Sequence, residues 1–145
     1  MELLIEKLKA LHASNFSFYL KNHFFHWNVE GPNFPQYHEL FSTIYEDVFG
    51  AVDTYAEHLR ALQAYAPGSL SRFSELTFVG DQLDPVSAQE MIAIAMQDNI
   101  KIMFAIAECD KLANEAGEVG LSNFLQGRHE IHRKHQWMLR ATSKV

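Results

Sequence analysis

The chain has 145 residues, enough for one domain with a real core and too few for two. Apolar residues make up 48% of it, which excludes a disordered chain, and no apolar run approaches the roughly 18 residues of a membrane span. Eighteen acidic side chains against 12 basic ones leave a net charge of −6, which argues against a whole-surface attraction to DNA.

The start, "MELLIEKLKALH", mixes charges among its leucines and lacks a small-residue cleavage site, so it does not read as a signal peptide. From Glu2 to about Glu30, residues Leu4, Leu8, Leu11, Phe18, Phe25 and Val29 follow a helical stripe with no proline or glycine inside. "GPNFP" breaks this helix. Asn33 is placed to cap a second one, and Pro35 falls in its first turn, where the missing N–H costs little. That helix is expected to run to about Tyr65, interrupted only by Gly50, until "APGS" stops it. Residues 71–78, "SRFSELTF", fit either a short helix or an ordered loop.

After the loop "VGDQLDP", Asp84 and Pro85 open a third helix, with Ser87 and Glu90 at capping-box spacing, and it continues to about Ala116. The single cysteine, Cys109, permits no intrachain disulfide and fits a reducing cytoplasm; on an apolar helix face it reads as core filler rather than nucleophile. Gly117 and Gly120 bracket the last turn, and a fourth helix fills 121–142. No alternating stretch bounded by hairpin signals occurs. The expected architecture is all-α, a four-helix bundle with a short extra helix in the long connection between helices two and three.

Six of the eight histidines cluster, at 23, 26 and 38 and again at 129, 132 and 135. Asp53 and Glu57, four residues apart, share a face of helix two. Two imidazoles, His26 and His38, with those two carboxylates form a mixed nitrogen and oxygen set that suits iron, manganese or zinc better than calcium or copper. The short connection brings His26 beside His38. Asp53 lies 15 residues beyond His38, about 22 Å along a helix, so the acids and the imidazoles of one chain occupy opposite ends. They meet only if a second copy lies antiparallel, and a two-fold axis then makes two equal sites. No Glu-x-x-His occurs, so a di-metal centre held inside one bundle is not expected. The competing reading of these residues is an exposed acidic pair and ordinary structural histidines.

"HWNVEGPNFPQYHELFSTIYEDVFGAVDTYAEHLRAL" resembles the core of the Dps mini-ferritins, and "SAQEMI" and "KHQWMLRA" extend the resemblance over essentially the whole chain. The resemblance implies a ferritin-like bundle, a hollow shell of twelve copies built from two-fold pairs, and Fe(II) oxidation by hydrogen peroxide with storage of the ferric product. It implies His26 and His38 from one subunit and Asp53 and Glu57 from its partner as ligands. The family's fifth ligand, an acid one turn after the second histidine, is replaced by Ser42, a neutral and weak donor for a hard cation. One iron is therefore expected to bind well and the other weakly, through His38 and water, with Glu46 one turn further on as an auxiliary. Trp27 matches the family tryptophan associated with stray oxidising equivalents, with simple packing as the alternative.

Asn123 and Arg133 stand where the family lines its iron pore with aspartates, and Glu115, Glu118 and Glu130 are the acids available to compensate. His129, His132 and His135 are close enough in pairs to share a metal, but read better as a weakly cationic surface. His58 replaces a common arginine and is assigned no role. An alternative function is a Dps-like shell whose site, degraded at Ser42, binds zinc or nothing, or associates with DNA. The lysine-rich terminal extension typical of DNA-binding members is not seen, and the tail after Trp137 offers only Arg140 and Lys144. DNA binding is thus expected to be weak. A gel shift should show no retained complex at moderate salt; a complex that resists added salt would contradict this.

Overall fold

The computed structural model describes residues 1–144. Its helices are α1 (Glu2–Asn28), α2 (Phe34–Gly50), α3 (Val52–Ala61), α4 (Leu70–Leu76), α5 (Ala88–Glu115) and α6 (Val119–Ser143), and no strand occurs among the described residues. Helix α1 pairs with α2, α5 pairs with α6, and the two pairs meet chiefly through α1 against α5. Leu8, Phe18, Phe25, Ile44, Ile102 and Leu125 are fully buried between them. Each stands on the inward stripe of its helix, which is why the apolar spacing could announce four long helices. The short α4 lies on α1, anchored by the buried Phe73; residues 71–78 thus begin as helix and end as loop.

Helix two differs from expectation. It is broken at Ala51 into α2 and α3, and it ends at Ala61 rather than near Tyr65. The break has a physical cause. The buried Asn15 of α1 donates its side-chain amide to the Val48 carbonyl at 3.1 Å, and Ala51 N–H bonds that same carbonyl one residue early, at 3.2 Å. A side chain inserted into the helical ladder bends a helix. The early stop comes from Gln63, which takes a left-handed φ of 67°. The Ala64 and Gln63 amides then return to the Leu59 and Arg60 carbonyls, a Schellman ending built without glycine. No residue type announces it.

The other boundaries shift less. α1 stops at Asn28, and Asn33 occupies the cap position of α2 without a side-chain bond. α5 begins at Ala88, after the Ser87 hydroxyl accepts the Glu90 amide at 3.1 Å, so Asp84 and Pro85 precede the helix rather than open it. Gly117, at φ 73°, ends α5 as its glycine predicts, and α6 starts at Val119. Cys109 is buried, and burial pushes its thiol up to about 12, consistent with core filler.

The histidines of α6 are corrected most. His132 and His135 are buried in the bundle, not arrayed on its surface. Asp47 of α2 accepts a bidentate pair from Arg128 at 2.9 and 3.0 Å, and its Oδ2 also accepts from His135 Nε2 at 2.8 Å. His132 donates from Nδ1 to Asn99 Oδ1 at 2.7 Å and accepts at Nε2 from Arg128 at 3.1 Å, which fixes it as a neutral imidazole. Burial, then the Arg128 charge, pushes its pKa well below the usual histidine value. Burial tends to raise the Asp47 carboxyl, but hydrogen bonds from His135 and Arg128 outweigh it and hold the group well below the ordinary carboxylate range.

Removing Asp47 leaves the Arg128 guanidinium, 6% exposed, without its counter-charge. Asp47→Ala should cost about 3 kcal/mol at pH 7, the low end for a broken buried pair because the carboxylate keeps partial solvent access. A carboxyl whose folded pKa is depressed stabilises above its unfolded value and loses that contribution as pH falls. The difference in denaturant midpoint between wild type and variant should therefore shrink below about pH 4. A constant difference would contradict the assignment.

Candidate metal centre

His26 sits in the last turn of α1 and His38 in the first turns of α2, joined by the bend in which Gly31 takes φ 128°. Their rings stack at 3.6 Å between centroids, 14° from parallel, and Phe34 stacks on the outer face of His38 at 4.9 Å. Each ring bonds the backbone beside the other: His26 Nδ1 donates to the His38 carbonyl and His38 Nδ1 to the His26 carbonyl, both at 2.6 Å. A carbonyl only accepts, so both Nδ1 atoms carry hydrogen, which leaves Nε2 as the ring atom with a lone pair to offer a metal. The His26 carbonyl is one of the terminal helix carbonyls that lack an intrahelical partner, so the same bond completes the end of α1. Two imidazoles with fixed tautomer and orientation are suited to act as nitrogen donors to a metal.

Asp53 and Glu57 lie exposed on α3. Asp53 raises the Glu57 carboxyl above its usual value, through a shared hydrogen bond and then by its charge. Two acids held this close favour a shared proton or a cation. Among the described residues no three His, Cys, Asp or Glu side chains converge on one point, so within one chain the imidazoles and the carboxylates stay apart, as the spacing along helix two requires.

The remaining expected residues take clear positions. Ser42 is half-buried on the His38 face and donates to Glu46 Oε1 at 3.3 Å, while Glu46 itself is exposed. Trp27 is 58% exposed and packs on His23 at 4.1 Å. Arg133 is exposed beside Glu130 at 3.7 Å, and Asn123, Glu115 and Glu118 do not join the histidine site. His58 packs on Phe124 at 5.0 Å.

Sequence reasoning missed the groups behind His26. Tyr45 stands 5.2 Å from it and lies flat on His23 at 3.8 Å, and the Tyr19 hydroxyl bonds His23 Nδ1 at 3.0 Å. The spacing held the signal: Tyr45 follows His38 by seven residues and His23 precedes His26 by three, each on the same helix face.

The ferritin-like domain family matches residues 5–144. A DNA protection during starvation protein from Brevibacillus brevis is 31% identical over 123 residues, covering 85% of this chain and 83% of that one. The crystal structure of a Dps protein from Bacillus brevis superposes with a TM-score of 0.94 at 29% identity, over 99% of this chain and 96% of that one. The Dps protein of Vibrio cholerae O1, described as one of the ferritin-like diiron-carboxylate proteins, superposes with a TM-score of 0.94 at 25% identity, over 99% and 90%.

The imidazole geometry is directly testable. Long-range nitrogen–proton NMR correlations of the metal-free protein should show both His26 and His38 as Nδ1–H tautomers; an Nε2–H tautomer at either would contradict the reciprocal bonding.

Proposed function

The chain belongs to the Dps family of ferritin-like proteins, and we propose that it binds Fe(II), oxidises it with hydrogen peroxide and stores the ferric product inside a hollow shell of its own copies. Membership of the family implies iron binding and a mini-ferritin role. The finer reading assigns each site to two chains: His26 and His38 from one, Asp53 and Glu57 from its two-fold partner, with twelve copies closing the shell. The observation that carries it is the reciprocal bonding of His26 and His38, which leaves an Nε2 lone pair on each of two immobilised rings. The paired carboxylates on α3, close enough that Asp53 raises Glu57 through a hydrogen bond and then by its charge, support the other half.

The donor set fits a dication such as Fe(II): two neutral nitrogens, and two acids that supply the compensating charge. Zinc and manganese satisfy the same donors, and iron is preferred because the family implies it. The oxidation belongs to the iron; the residues bind and orient it. Ser42 leaves the second position short of a carboxylate, and its hydroxyl is turned toward Glu46, so the second iron relies on His38, water and the Glu46 carboxylate at one remove. Among the described residues no helix is long and apolar enough to cross a membrane, and a cytoplasmic location is part of the proposal.

A second reading, a shell with a degraded site, draws on the same Ser42. Two measurements separate them. Anaerobic Fe(II) titration should give one tight site per chain, and Ser42→Asp should add a second; two equally tight sites in the wild type would refute the weakened position. Glu57→Ala should slow peroxide-driven Fe(II) oxidation by about 10-fold or more, since losing a ligand costs at least what losing an outer partner does. Equal rates would favour the degraded shell.

A further inference from the structure

The aromatic groups behind His26 form a connected set. Tyr45 contacts His26 at 5.2 Å and stacks on His23 at 3.8 Å and 9°, and Tyr19 lies 6.1 Å from Tyr45 with its hydroxyl 3.0 Å from His23 Nδ1. Tyr19 is half-buried, wedged against Phe49 at 4.8 Å and Phe16 at 5.6 Å. The set joins the proposed iron site to a phenol in the protein.

Electron counting gives that connection a use. Reducing hydrogen peroxide to water takes two electrons, and one Fe(II) supplies one. A site with two well-held irons closes the balance alone. Here Ser42 replaces a carboxylate, so a peroxide arriving at a singly occupied site lacks its second electron unless the protein donates it.

We propose that Tyr19 is the one-electron donor that completes peroxide reduction at this site, with Tyr45 as the contact toward His26 and His23 as the acceptor of the phenolic proton. The step balances. One Fe(II), one hydrogen peroxide, the Tyr19 phenol and neutral His23 give Fe(III), the Tyr19 phenoxyl radical, protonated His23 and two hydroxides. The O–O bond breaks, iron and phenol each lose one electron, peroxide gains two, and the phenolic proton moves to His23 Nδ1. No free hydroxyl radical is released. The inference rests on the ferroxidase reading and deepens it.

Three features single out Tyr19. Oxidising a phenol expels its proton, so a donor needs a base within hydrogen-bond reach, and the Tyr19–His23 bond supplies one. Tyr45 and Trp27 have no side-chain hydrogen bond to a base among the described residues. The stack of His23 on Tyr45, at 3.8 Å and 9° from parallel, holds the ring in the orientation that makes this bond. Burial and then Tyr45 raise the Tyr19 pKa, so the phenol keeps its proton until it is oxidised.

The test uses the assembled protein, loaded anaerobically with one Fe(II) per chain, mixed with equimolar hydrogen peroxide and freeze-quenched for electron paramagnetic resonance. The expected result is an organic radical signal that narrows when the tyrosines are ring-deuterated. Tyr19→Phe should lose it and release more spin-trapped hydroxyl radical, with circular dichroism confirming the fold, while Trp27→Phe should retain it. A signal that survives Tyr19→Phe, or that narrows with deuterated tryptophan instead, overturns the assignment. Consumption of two Fe(II) per peroxide with no protein radical overturns it and leaves the ferroxidase reading standing. Absence of any peroxide-dependent oxidation removes both.

Discussion

The turn between α1 and α2 is closed by two imidazoles that each donate to the carbonyl beside the other. Each bond sets which ring nitrogen carries the proton, and the one to the His26 carbonyl also serves a helix end next to the bend. Individually such bonds contribute about 0.5–1.5 kcal/mol. Their value lies in the coupling: moving one ring releases the carbonyl that holds the other, so the pair behaves as one rigid donor set. Phe34 stacks on His38 and Tyr45 stands tilted against His26, so an aromatic side chain packs on each ring of the pair.

The opposite half of the proposed site depends on the bundle interior. Asn15 takes the Val48 carbonyl and bends helix two at Ala51, which sets the direction of α3 and hence of Asp53 and Glu57. Just before that bend, Asp47 is tied to Arg128 and His135 of α6, and His132 to Asn99 of α5. An interior wired this way is costly to rearrange, because every polar group released would be buried without a partner. Rigidity there serves α3: in the proposed site, acids that meet imidazoles on another chain need a firmly held helix.

Much of this was legible in the sequence because it depends on spacing. The apolar stripes gave the four long helices, "GPNFP" gave the bend that pairs His26 with His38, and the 15 residues between His38 and Asp53 kept the imidazoles and the acids of one chain apart. What stayed hidden depends on contacts between distant residues. Asn15 and Val48 are 33 residues apart, so the break at Ala51 had no local signature beyond Gly50. Gln63 gives no hint of a left-handed φ, because glutamine rarely adopts one. His129, His132 and His135 looked like one surface row at steps of three. Two of them are drawn inward by Asp47 and Asn99, 88 and 33 residues away.

The account stands or falls on ligands from two chains forming one site, and mixing two disabled variants tests that most directly. One variant carries His26→Ala and His38→Ala, the other Asp53→Ala and Glu57→Ala. Neither should bind Fe(II) tightly alone. In a mixed two-fold pair, one site receives intact imidazoles and intact acids and the other receives neither, so equal random co-assembly should restore about a quarter of the tight sites. Recovery at that level, with mixed assembly verified by mass, is the result predicted here. A co-assembled protein with no recovered tight binding would contradict the two-chain site.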